Sequence, residues 1–197
     1  RQFPPSQAAG LLQHAVQAGH RQRQRLGGRF AAYRRTSDVV MGLLRELSPL
    51  VEPVSIDEAY VDLAAGGHDL SVAGVTELGR DLKARIAAST GGVTGSVGIG
   101  TSKLMAKIGS DLQKPDGLVV VPPGTELEVL HPLPVTRLGG VGPATAERLH
   151  QVGVKTVGDL AAKSLPDLVA LAGRSGSTLL PELLTEAVVL RALGAAG

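Results

Sequence analysis

Val51-Glu52-Pro53-Val54-Ser55-Ile56-Asp57-Glu58-Ala59-Tyr60-Val61-Asp62-Leu63 is the stretch that decides how this 197-residue chain is read. Val54, Ile56, Val61 and Leu63 hold the apolar positions with polar groups between them, which predicts two strands around a tight turn, ended by Gly66 and Gly67. Neighbouring residues of a regular strand point to opposite faces. Asp57 and Glu58 therefore converge on one site only at a turn or bulge, where the hairpin reading puts them. Two adjacent carboxylates at a hairpin tip offer hard oxygen ligands to Mg2+, a cation that suits one or two carboxylates supplemented by substrate phosphates. A solvated acidic turn is the competing reading.

Working outward, apolar residues spaced by threes and fours (Phe30, Tyr33, Val40, Leu43, Leu44, Leu47) predict a helix that Pro49 stops. After the hairpin, Val75, Leu78, Leu82 and Ile86 mark a second helix running into Gly91 and Gly92. Val93–Gly100 reads as a short strand of small residues that lets a neighbouring backbone come close. Thr101 or Ser102 caps a third helix with Leu104, Ile108 and Leu112 on its apolar face, Pro115 terminates it, and Leu118–Val121 is a buried strand. The order helix, strand, strand, helix, strand, helix, strand is that of an α+β domain, with a mixed or antiparallel sheet and its helices on one face.

Pro122, Pro123 and Gly124 mark a boundary beyond which strand signals give way to short helices. Thr125 to Glu128 matches a capping box, Pro143 suits a first helical position after Gly142, and Thr156 and Ser164 suit caps. The second unit is thus read as small and all-helical. Its glycine-rich turn, Gly140-Val141-Gly142-Pro143-Ala144, opens a helix, so its backbone amides suit an anion. A plain interhelical turn is the alternative. On the third helix, Lys103, Lys107 and Lys114 fall within an arc of about 40° and are expected to form an exposed basic stripe, either a phosphate-binding face or a solvated one.

Composition narrows the classes. The net charge of +2 is the sum of two unlike parts: residues 1–35 hold seven Arg and no acid, whereas the remainder holds 13 bases and 18 acids. Residues 1–27 are accordingly expected to be a basic arm, poorly ordered or loosely helical. The absence of Cys excludes disulfides, thiol nucleophiles and cysteine-ligated zinc. Two Phe, two Tyr and no Trp disfavour readers that stack bases on aromatic platforms. No apolar run approaches membrane-spanning length and no signal-peptide core is present, so a cytoplasmic location without membrane contact is expected. The chain opens on Arg1 rather than Met, as an internal stretch of a longer reading frame would.

Together, Phe30–Arg35 with its helix, Val51–Leu63, Ser96–Leu118 and Leu133–Leu160 resemble the Y-family translesion DNA polymerases, of the bacterial DNA polymerase IV (DinB) type. The resemblance covers roughly residues 28–172. It implies a partial palm over 28–123, a helix-hairpin-helix thumb over 125–173 and an unmatched Leu-rich tail over 174–197. It further implies DNA-directed nucleotidyl transfer to a primer 3′-hydroxyl with two Mg2+ ions. By the same likeness, Asp57 and Glu58 are metal-binding and catalytic, and Lys107 and Lys114 bind nucleotide. The resemblance also implies that Gly140, Val141, Gly142 and Ala144 hold DNA backbone through amides. Implied partners are primer-template DNA and a deoxynucleoside triphosphate; a sliding clamp belongs to the intact family, and no motif for it is seen here.

The family's first catalytic Asp, on an N-terminal strand, has no counterpart in the acid-free residues 1–35, and the fingers and little finger are also unmatched. Both ends read as a truncated or frame-shifted frame would, and the chain alone is expected not to polymerise DNA. The rival reading is a non-catalytic protein that binds DNA backbone through the hairpin. A further alternative is a poorly folding remnant whose sheet is left with an unpaired interior edge.

Overall fold

The computed structural model describes residues 9–13, 26–164 and 166–167 of the chain. The chain divides into two compact units, Arg1–Pro122 and Pro123–Gly197.

Among the described residues of the first unit, five strands form one sheet: β1 (Ala9–Gln13), β2 (Val51–Pro53), β3 (Glu58–Asp62), β4 (Ser96–Gly100) and β5 (Leu118–Val120), in the order β2-β3-β1-β4-β5. All neighbours are antiparallel except β4 and β5, which run parallel. The hairpin expected between Leu50 and Leu63 is β2 and β3 joined by the turn Val54–Asp57.

The strand β1 corrects two expectations. Residues 9–13 are neither loose helix nor unstructured, and the sheet has no open interior edge, because β1 fills the slot between β3 and β4. Its hydrogen bonds come from strands remote in sequence on both sides, which local periodicity does not register.

Three helices cover the sheet. α1 (Leu26–Leu47) starts four residues before Phe30 and buries Val40, Met41, Leu44 and Leu47, the spacing that places them on one stripe. α2 (Val72–Thr90) begins at Ser71, whose hydroxyl accepts the Gly74 N–H, and ends at Gly91 in the left-handed conformation. Together α1 and α2 enclose a core with Ala59, Val61, Val97 and Ile99. Strand alternation turns the intervening β4 residues to the opposite face.

That opposite face carries α3 (Lys103–Leu112), capped by Ser102, whose hydroxyl accepts the Met105 N–H. A Cβ built on Gly98 would lie 2.0 Å from the Ala106 carbonyl oxygen and 2.2 Å from the Ser110 nitrogen, and a Cβ built on Gly109 would lie 3.3 Å from the Gly98 Cα. The absent side chains let α3 lie directly on β4. The helices therefore flank both faces of the sheet rather than one, and the close backbone approach anticipated along Val93–Gly100 is made by α3.

In the second unit, α4 (Glu126–Leu130), a 3-10 turn (Val135–Arg137), α5 (Pro143–Gln151) and α6 (Val157–Ala161) surround Leu130, Val135, Leu138, Leu149, Val154, Val157 and Leu160, all buried. Pro143 takes the first turn of α5, and Thr156 forms a reciprocal capping box with Asp159. The Asp159 carboxyl is held below its ordinary range by the Thr156 and Lys155 backbone N–H groups. The capping box expected at Thr125 does not form, since Thr125 makes no side-chain cap bond to α4. The Ser164 hydroxyl accepts the Asp167 N–H, as an N-cap would. The tail from 168 onward lies outside the described residues, as does the rest of the arm outside 9–13 up to residue 25.

Candidate functional site

The two carboxylates singled out in the sequence are consecutive but held differently. Asp57 ends the turn, is exposed, and accepts the Ser55 hydroxyl at 2.6 Å on Oδ1, while its own N–H reaches the Ser55 oxygen at 3.3 Å. Glu58 opens β3, and its carbonyl closes the turn by accepting the N–H groups of Val54 and Ser55. Glu58 Oε1 accepts a hydrogen bond from Lys107 Nζ at 2.9 Å.

The three lysines lie on the face of the sheet that carries α3. They do not form a solvated cationic stripe. Lys103 donates to both oxygens of Glu52 at 2.7 and 2.6 Å and lies over the Tyr60 ring, 5.3 Å from its centroid. Lys107 is shared between Glu58 and Asp111 (3.6 Å), and Lys114 sits 2.5 Å from the other Asp111 oxygen. The result is an alternating chain, Glu58, Lys107, Asp111, Lys114. The physical reason is local: Asp111 lies four residues after Lys107 and three before Lys114, so both ammonium groups reach one carboxylate.

Partial burial pulls the Lys107 ammonium below its ordinary pKa, opposed by the Asp111 charge, aided by Lys114 and opposed again by Asp57. Tyr60 is pushed up, first by burial and then by Glu52 and Asp111.

Sequence reading singled out Asp57, Glu58, Lys107 and Lys114, and the structure brings Glu58 and Lys107 into direct contact. It missed Glu52, Tyr60 and Asp111. The helical spacing of Asp111 from two lysines was the available signal for that residue. Glu52 is set against Lys103 only by the fold.

Mg2+ chemistry of the kind the resemblance implies needs a convergent set of oxygen donors. Among the described residues no group of three His, Cys, Asp or Glu side chains is placed to hold a metal ion. β1, the strand beside Glu58, reads Ala-Gly-Leu-Leu-Gln and supplies no carboxylate, with Gln13 in register opposite Glu58. With Lys107 already on Glu58, the described residues do not fit a two-ion site.

In the second unit, the Gly140–Gly142 turn leads into α5, and Gly140 has φ 79°, a conformation that disfavours any side chain. Val141 is buried, and its N–H donates to Leu138, while the Gly142 N–H donates to Gly140. These two amides close the turn rather than face outward. Ala144 and Thr145 fall in the first turn of α5, where N–H groups lack intrahelical carbonyls.

No helix among the described residues is long and apolar enough to cross a membrane. The impB/mucB/samB family matches residues 9–111 and the IMS family HHH motif matches 123–154. The match therefore reaches back to Ala9, ahead of the roughly residue 28 at which the sequence motifs begin. The chain is 48% identical to DNA polymerase IV of Streptomyces coelicolor over 173 residues, covering 88% of this chain and 34% of that relative. It is 43% identical to DNA polymerase IV of Alkalilimnicola ehrlichii over 144 residues, 71% of this chain and 39% of the relative.

Among solved structures, DinB from Sulfolobus solfataricus aligns with TM-score 0.69 and 29% identity, covering 80% of this chain and 46% of that one. A post-insertion binary complex of Dbh DNA polymerase aligns with TM-score 0.71 and 29% identity, covering 82% and 46%. The chain thus spans less than half the length of each of these four proteins. With the family match covering more than half of its own residues, the chain belongs to the impB/mucB/samB family, that of the Y-family DNA polymerases of the DNA polymerase IV (DinB) type.

Proposed function

We propose that this chain is the palm and helix-hairpin-helix thumb portion of a translesion DNA polymerase, with residues 28–123 together with β1 as palm and 125–173 as thumb, and that by itself it binds DNA backbone without extending a primer. In the whole enzyme the reaction is nucleotidyl transfer to a primer 3′-hydroxyl, Asp57 and Glu58 serve as metal ligands, and Lys107 and Lys114 bear on the triphosphate. The observation that carries the reading is the pairing of a palm-type hairpin bearing Asp57-Glu58 with a Gly140–Gly142 turn opening α5. The amides expected to meet phosphate are those at Gly140 and Ala144, in the turn shaped by Val141 and Gly142.

One observation favours a second reading, a non-catalytic DNA-binding protein: β1 brings no carboxylate to Glu58. Under it, Lys107 and Lys114 serve only their ion pairs, and the chain does not retain a deoxynucleoside triphosphate.

Duplex binding by the purified chain, followed by fluorescence anisotropy, should weaken steeply with salt, with a slope near −0.9 per phosphate neutralised. Gly140→Val forces a β-branched residue into the left-handed region and should weaken binding at least about tenfold. Asp57→Ala should leave it unchanged. Duplex affinity indifferent to Gly140→Val in a folded variant would count against the thumb assignment.

A further inference from the structure

Lys107 stands where a cation is called for. Its ammonium lies 2.9 Å from Glu58 Oε1 and 3.6 Å from Asp111, and both side chains of the Glu58 pair are largely withdrawn from solvent, 26% exposed for Glu58 and 36% for Lys107. Asp57 Oδ1 accepts the Ser55 hydroxyl. On the far side of Glu58 the register position is Gln13, within a strand devoid of acids.

We propose that the Lys107 ammonium is the resident counter-cation of the Asp57-Glu58 pair, and that in this chain the pair does not take up a divalent ion. The reasoning is a comparison of two occupants. An ammonium already in hydrogen-bonding contact offsets the Glu58 charge within the fold and loses no further freedom. A divalent ion must shed water and displace that ammonium. In return it meets the two carboxylates with no acid supplied by the Ala-Gly-Leu-Leu-Gln strand beside them, whereas Mg2+-like ions dehydrate reluctantly and need near-octahedral oxygen geometry. Lys114 adds to the repulsion, because it shares Asp111 with Lys107. Removing the Lys107 charge while keeping its stem should therefore open Glu58 to a cation.

This inference goes beyond the DNA-binding reading and does not depend on it, since the test uses neither DNA nor nucleotide. The full chain is titrated with Mn2+, and free ion is followed by its electron paramagnetic resonance signal. The wild-type chain should show no saturable site below about 1 mM. Lys107→Met should gain one that is at least about tenfold tighter, an effect of roughly 1.4 kcal/mol or more, and adding Glu58→Gln to that variant should abolish it.

A wild-type site below that concentration that disappears in Glu58→Gln would overturn the inference. So would a Lys107→Met chain with native circular dichroism that titrates like wild type. Should Lys107→Met not fold, Lys107→Gln replaces it, and the wild-type titration decides on its own.

Discussion

Gly98→Ala should unfold the first unit or leave it with at least about 3 kcal/mol less stability, because overpacking against rigid neighbours is costly. The new methyl carbon would sit 2.0 Å from the Ala106 carbonyl oxygen and 2.2 Å from the Ser110 nitrogen, so both obstacles are backbone. No rotamer change removes them; α3 must lift from β4. Since α3 carries Lys103, Lys107 and Asp111, the ion pairs to Glu52 and Glu58 are lost with it.

Such a loss is a large share of the roughly 5–15 kcal/mol that holds a typical domain together. Gly42→Ala is the matched control: it lies within α1 with nothing inside 4 Å of the added carbon, and should be neutral or stabilising by up to about 1 kcal/mol. Chemical denaturation of the two variants checks both signs, and a Gly98→Ala chain as stable as wild type would contradict the packing described here.

Leu160→Ala should abolish duplex binding without touching any residue expected to meet DNA. Leu160 is 1% exposed, on α6, within a core built from a few Leu and Val side chains. Truncating a buried Leu costs about 2–5 kcal/mol, and a core of this size rarely supplies more than about 3–5 kcal/mol in total. The positive-φ turn at Gly140 is held by contacts of that core, through buried Leu138 and Val141. Its geometry should therefore melt with the unit. Val152→Ala, at an exposed position, should change little. Anisotropy with labelled duplex and thermal unfolding are the two readouts; wild-type affinity in Leu160→Ala would separate the hairpin from the core that is said to shape it.

Much of this architecture was legible where a signal is local. The apolar alternation around Asp57 and Glu58 gave the hairpin and put Asp57 in its turn, and threes-and-fours spacing gave the three helices of the first unit. Hydroxyl residues before an apolar run marked Ser102 and Thr156 as caps. What escaped was set by partners distant in sequence. Ala-Gly-Leu-Leu-Gln is too short to alternate visibly and becomes a strand because β3 and β4 offer hydrogen bonds on both sides.

The small residues of β4 announced a close approach but not which helix makes it. The lysine stripe was correctly spaced, but neither the phosphate-binding nor the solvated reading foresaw its ion pairs, because Glu52 and Glu58 reach it only through the fold; Asp111, by contrast, was within helical reach all along. Val141, taken from the motif as a DNA contact, is a core residue whose amide closes the turn.

Primer extension by the purified chain, with Mg2+, all four deoxynucleoside triphosphates and a primed template, tests most directly the claim that this polymerase-type palm does not catalyse by itself. With no carboxylate on β1 opposite Glu58 and with Lys107 on the Glu58 oxygen, the expected result is no template-directed incorporation above background, in wild type and Asp57→Ala alike. Robust incorporation by the wild-type chain that vanishes in Asp57→Ala would contradict it.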